Sequence, residues 1–143
     1  MEKLNNILFY SLEKAIKSYR QFAQRSLVQN GFDVTIDQWL VLKAVGDNPA
    51  WTQQQIAEIT FKDYASVTRI IDLLVKKRYL SRIIHEQDRR RFNLTPTESA
   101  AKILIAMQPV IESNRKVALK GITTEQASQL QHILNAIIQN CKL

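Results

Sequence analysis

The chain has little of what most small catalytic or secreted domains need. Among 143 residues there is one cysteine, Cys141, close to the C-terminus. No disulfide framework and no multi-cysteine zinc site can be built from a single thiol, and the composition fits a reducing cytoplasm. Cys141 reads as a small apolar packing residue before it reads as a redox sensor. Only two histidines occur, His85 and His132, and neither stands in an HxxxH or HExxH pattern, so no metal site is expected. There is no glycine-rich phosphate loop and no G-x-S-x-G elbow. Together these absences argue against an enzyme and against a bound cofactor. No stretch approaches 18 uncharged apolar residues, and the first dozen residues lack the apolar run of a signal peptide, so neither membrane nor export is expected.

Glycine and proline are equally scarce, three of each, which favours long uninterrupted helices over many turns. What is present in excess is positive charge. Twenty Lys and Arg stand against thirteen Asp and Glu, for a formal net charge of +7. Hydrophobic residues make up 45%, enough for one core in one ordinary domain. A basic excess points to an anionic partner, with nucleic acid ahead of a membrane surface.

The pattern along the chain is helical at both ends. Leu4, Ile7, Leu8, Leu12, Ala15, Ile16, Tyr19, Phe22 and Ala23 recur at steps of three and four, predicting an amphipathic helix that Gly31 stops. Thr35 or Asp37 opens a second helix through Trp39 and Val45. Thr52 and Gln55 have capping-box spacing and start a short third helix. After a break at Thr60-Phe61-Lys62, Asp63 caps a fourth, with Val67, Ile70, Ile71, Leu74 and Val75 on its buried face. Its opposite face carries Tyr64, Ala65, Thr68, Arg69 and Asp72. Two helices joined by so few residues suggest a helix-turn-helix. Leu80–His85 and Phe92–Leu94 read as a weak hairpin around a charged turn. Thr95-Pro96-Thr97-Glu98 reads as a helix start with Thr95 as cap, Pro96 at the first helical position and Glu98 closing the box. The last helices follow, one holding Pro109, the other opened by Thr123 and Gln126.

Residues 61–94 contain nine basic and four acidic residues, so this quarter of the chain holds most of the net charge. A helix-turn-helix sets its second helix in the major groove, where Lys62, Tyr64, Ser66, Thr68 and Arg69 would face the DNA. Arg69 suits guanine O6 and N7. Thr52, Gln53 and Gln54 at a helix N-terminus suit a phosphate. Arg89, Arg90 and Arg91 at a hairpin tip suit a minor groove or phosphates, and Asp88 would pair with and orient an arginine there. Lys76, Lys77 and Arg78 have a plainer role, as cations at a helix C-terminus.

At this point the sequence resembles the MarR family of bacterial transcription regulators. The resemblance runs nearly the whole length, and its most specific stretch is Ser66-Val67-Thr68-Arg69-Ile70-Ile71-Asp72-Leu73-Leu74-Val75-Lys76-Lys77 followed by Leu80-Ser81-Arg82. Asp88-Arg89-Arg90 is similar to the family's wing motif, and Leu94-Thr95 to the pair that closes the wing. The resemblance implies a mainly α fold: a winged helix-turn-helix with a small β-hairpin wing in residues 35–95, and dimerisation helices in 1–34 and 96–143. It implies a cytoplasmic homodimer on palindromic double-stranded DNA, acting as a ligand-responsive repressor. An activator or anti-repressor of the same fold, or a helical module that binds acidic protein, are the alternatives. The family's effectors are often aromatic or phenolic anions, for which Tyr10, Tyr19, Phe22, Phe32 and Trp39 are candidate pocket residues. The sequence departs from the family in having Arg78 where a glycine is usual, and in a wing about two residues short.

Overall fold

The computed structural model describes residues 1–84, 87 and 92–142. A single 3-10 turn, Leu4–Asn6, leads into α1 (Leu8–Gln29). Then come α2 (Ile36–Asp47), α3 (Gln53–Ile59) and α4 (Tyr64–Lys76), the antiparallel strands β1 (Leu80–Ile84) and β2 (Phe92–Pro96), and α5 (Glu98–Ala118) and α6 (Thr124–Asn140). The mainly helical winged helix-turn-helix expected from the sequence is what the chain forms.

Side-chain caps start most of these helices. Thr35, Thr52 and Thr123 each accept from the backbone N–H three residues on, while Gln38, Gln55 and Gln126 reach back to the cap residue, so three capping boxes form. Asp63 caps α4 through Ser66 N–H. Of the two residues proposed to open α2, Thr35 is the cap and Asp37 lies in the first turn.

Helix ends hold a less expected feature. Arg78 N–H bonds Val75 O, and Tyr79 N–H bonds Leu74 O, the paired closure of a Schellman motif at the end of α4. Phe61 and Lys62 make the same closure on α3 through Glu58 O and Ala57 O. The residue between must be left-handed, and here it is not glycine: φ is +58° at Phe61 and +66° at Arg78. The recognition-helix candidate α4 is therefore preceded and followed by two backbone positions that disfavour a Cβ. A glycine was the usual residue at the position of Arg78; nothing marked Phe61.

One start differs from the sequence reading. Thr95 does not cap α5. It pairs with Ser81, and Pro96 pairs with Leu80, in the last rungs of the hairpin. The cap is Thr97, which accepts from Ala100 N–H. The ladder takes Thr95 and Pro96 because Leu94 must face the core, where it is buried beside Leu80. A proline at a strand end gives up no ladder bond that a two-stranded sheet needs. Thr97 N–H also bonds Tyr79 O, and its hydroxyl donates to Arg78 O at 2.7 Å, which ties the base of the wing to α5.

A continuous core joins the head to the flanking helices. Val41, Leu42 and Val45 of α2 pack with Ile56 of α3, Val67, Ile71 and Leu74 of α4, Leu80 and Leu94 of the hairpin, and Ala100 and Met107 of α5. The outer helices contribute little to it. α1 buries only Ala23 and Leu27, and α6 buries no residue.

Candidate nucleic-acid interface

The fold sorts α4 cleanly into two faces. Val67, Ile71 and Leu74 are 0% exposed. Tyr64, Ala65, Arg69 and Asp72 are exposed, and Ser66 and Thr68 are half-buried at the margin. This follows from a helical repeat of 3.6 with one apolar stripe, and it leaves the face predicted to meet DNA open.

The open face is braced by its own hydrogen bonds. Asp63 Oδ1 accepts from Ser66 N–H at 2.7 Å, and Ser66 Oγ donates to Asp63 Oδ2 at 2.9 Å. Arg69 Nη2 in turn donates to Ser66 Oγ at 3.1 Å. The N–H and the hydroxyl of Ser66 hold the Asp63 carboxyl below its ordinary pKa, with a smaller contribution from the Arg69 charge. Thr68 Oγ1 donates to Tyr64 O at 2.9 Å and accepts from Gln53 Nε2, so the first turn of α3 is clipped to the middle of α4. Gln54, beside it, is exposed, as is Thr52 at the cap.

Lys62 is placed differently from its neighbours on α4. Its Nζ lies 3.0 Å from Asp37 Oδ1 and its side chain is 20% exposed. Asp37 also accepts from Arg20 of α1. Burial alone would raise the Asp37 pKa, but the hydrogen bond and charge of Lys62, reinforced by Arg20, bring it below the ordinary carboxylate value. This three-way contact had no counterpart in the sequence reading. Its signal was weak: Asp37 stood out only as a helix-start residue.

Other pairings were also missed. Asp72, on the outer face of α4, accepts from Arg82 of β1, which joins α4 to the hairpin. Tyr79 Oη donates to Asp33 Oδ1 at 2.8 Å, and Lys77 Nζ donates to Asp33 O and to Gln38 Oε1. Lys77 is thus tied to the α1–α2 loop, not merely placed at a helix end. Asp88, Arg89, Arg90 and Arg91 lie outside the described residues, as does His85.

Of the candidate pocket residues, Tyr19 and Trp39 line one cavity of about 220 Å3, together with Arg20, Asn114 and Arg115. Tyr10 lines a separate pocket with Lys14 and Lys17. Phe32 packs against the core. Phe22 is half-buried and lines neither.

A capped short helix, a tight turn, a second helix with one face free, and a hairpin directly after it define a winged helix-turn-helix. The model of the MarR family matches residues 32–91, the span from the end of α1 to the wing. The uncharacterised HTH-type transcriptional regulator YybA of Bacillus subtilis is 28% identical over 108 residues, 76% of this chain and 72% of that one. A mutant MarR from E. coli in complex with operator DNA superimposes with a TM-score of 0.82, at 20% identity, over 96% of this chain and 99% of that one. BpsR of Bordetella bronchiseptica, whose DNA binding is regulated by 6-hydroxynicotinic acid, gives 0.84 at 20% identity over 96% of each chain. Residues 32–91 are thus similar to the MarR family, and the Bacillus subtilis relative is a transcriptional regulator. No helix among the described residues is long and apolar enough to cross a membrane.

Proposed function

We propose that the chain is a sequence-specific double-stranded DNA-binding regulator of transcription, working in the cytoplasm as a ligand-responsive repressor. The observation that carries this is α4: Val67, Ile71 and Leu74 are fully buried, while Tyr64 and Arg69 stand open on the opposite face, with Arg69 bonded to Ser66 and Ser66 to Asp63. In this reading α4 enters the major groove, with Arg69 on a base edge and Tyr64, Ser66 and Thr68 beside it. Thr52, Gln53 and Gln54 sit over a phosphate, with Lys62 as a further phosphate contact. Arg89, Arg90 and Arg91 extend the contact from the wing, aligned by Asp88. The test is a fluorescence-anisotropy titration of the full chain on genomic duplexes at graded salt. Arg90→Ala is expected to weaken binding to many sequences and flatten the salt slope by about one ion per protomer. No binding to any duplex at low salt would end the reading.

The regulator acts as a homodimer on a palindromic site. Leu130, Ile133 and Ile138 of α6 are exposed, as are Leu4, Leu8 and Phe9 at the other end of the chain. A 17-residue helix that buries nothing is marginal alone, so both ends call for a second copy. Light scattering at micromolar concentration should give twice the 16.5 kDa chain mass; a monomer would refute this half of the proposal.

Its effector is a small aromatic or phenolic anion. The cavity beside Tyr19 and Trp39 offers aromatic residues, with two arginines, Arg20 and Arg115, among those that line it. Such a molecule matches the aromatic acid named for BpsR in kind.

A further inference from the structure

Asp37 has two cations on one oxygen. Its Oδ1 accepts from the Arg20 guanidinium and from Lys62 Nζ. The three groups come from three elements: Arg20 from α1, Asp37 from the first turn of α2, and Lys62 from the turn that delivers α4. Either cation can leave while the other still neutralises the carboxylate. Removing both strands a half-buried charge.

Arg20 also lines the 220 Å3 cavity. Two further residues of that cavity wait for a partner. Asn114 is 5% exposed, and its side chain makes no hydrogen bond among the described residues. Since no polar side-chain atom among the described residues is sealed off without a partner, its amide keeps access beside the cavity it lines. Arg115 has no acidic partner among the described residues. A single-ring carboxylate would meet all of these: its ring against Tyr19 and Trp39, its charge drawing on Arg20 and Arg115, a polar atom on Asn114.

We propose that Asp37 couples this cavity to DNA by a competition over its two cations. The inference rests on the function proposed above, with Lys62 as a phosphate contact. A carboxylate in the cavity draws Arg20 away, and Lys62 becomes the sole partner of Asp37. Lys62 can then reach a phosphate only by leaving Asp37 unpaired, so DNA is held less tightly. Run in the other direction, DNA that has taken Lys62 leaves Arg20 as the sole partner of Asp37 and withholds it from the cavity. The two ligands oppose each other by the same factor whichever binds first. With both pairs partly exposed, that factor is at the small end of such couplings, about fivefold.

The experiment uses the full-length chain with benzoate as probe and benzamide as its neutral counterpart. Calorimetry without DNA comes first. Asp37→Asn releases Arg20 and is expected to tighten benzoate binding about fivefold. Lys62→Gln leaves Asp37 holding Arg20 alone and is expected to weaken it by a similar factor. Benzamide should respond to neither substitution. With a duplex selected from a random pool, saturating benzoate should lower the DNA affinity of the wild type about fivefold and leave that of the Asp37→Asn variant unmoved. Benzoate that does not bind, or that binds all three chains equally, overturns the proposal and leaves DNA binding untouched. Equal loss of DNA affinity in wild type and Asp37→Asn overturns it as well. If the benzoate series behaves as expected and the wild type binds no duplex, it is the function reading that fails, and the coupling to DNA with it.

Discussion

The side-chain amide of Gln53 donates to the hydroxyl of Thr68, joining the first turn of α3 to the middle of α4. The hydroxyl passes its one proton to Tyr64 O at 2.9 Å, so it has none left to donate to a base. Thr68 therefore acts by positioning the helix. Thr68→Val keeps the shape and deletes the bond, and should cost about 1 kcal/mol of stability. It should also weaken a selected and a scrambled duplex by the same factor in anisotropy titrations. A loss confined to the selected duplex would make Thr68 a base reader.

The two left-handed residues that flank α4 give a prediction about stability alone. Arg78 has φ +66°, its side chain is exposed, and the Schellman bonds around it are backbone only. Arg78→Gly removes a Cβ penalty of about 1 kcal/mol and returns part of it as unfolded-chain entropy. The net expectation in urea unfolding is a gain of roughly 0.5 kcal/mol. A destabilised variant would mean that the Arg78 side chain holds something that its backbone does not show.

Tyr79 supplies the pH dependence. Burial first, and then the hydrogen bond and charge of Asp33, push its phenol from an ordinary 10 up to about 12. A raised pKa favours the neutral phenol in the folded chain, so its contribution is complete below pH 10. It is lost between pH 10 and 12, where the unfolded chain ionises and the folded one does not. Tyr79→Phe should be about 1 kcal/mol less stable at pH 8, and the gap to wild type should close as pH rises above 10. A gap that stays constant across that window would detach the phenol from Asp33.

Much of this was legible beforehand because it is local. Capping boxes at Thr52 and Thr123, the cap at Asp63 and the apolar stripe of α4 each depend on residues three or four apart, and sequence spacing specifies them. The start of α5 was misjudged because two threonines two residues apart both make sound caps. The choice fell to Leu94, whose burial fixes the register of the hairpin and draws Thr95 into it. The contacts that were missed are long-range. Arg20 and Asp37 are 17 residues apart, and Asp33 and Tyr79 are 46 apart. A charge in sequence shows no partner, so Lys62 looked like one more open cation and is instead held by α2. Phe61 at φ +58° gave no warning either, since nothing in its chemistry favours that conformation.

The central claim is that α4 reads sequence through Arg69, held by Ser66 and Asp63. Wild type and Arg69→Ala should be titrated against a selected palindrome and against the same duplex with one base pair changed at the contacted position. The account predicts that Arg69→Ala loses about 1–3 kcal/mol on the palindrome, little on the altered duplex, and most of the discrimination between them. Equal affinities of the two proteins for the palindrome, or an equal loss on both duplexes, would contradict it.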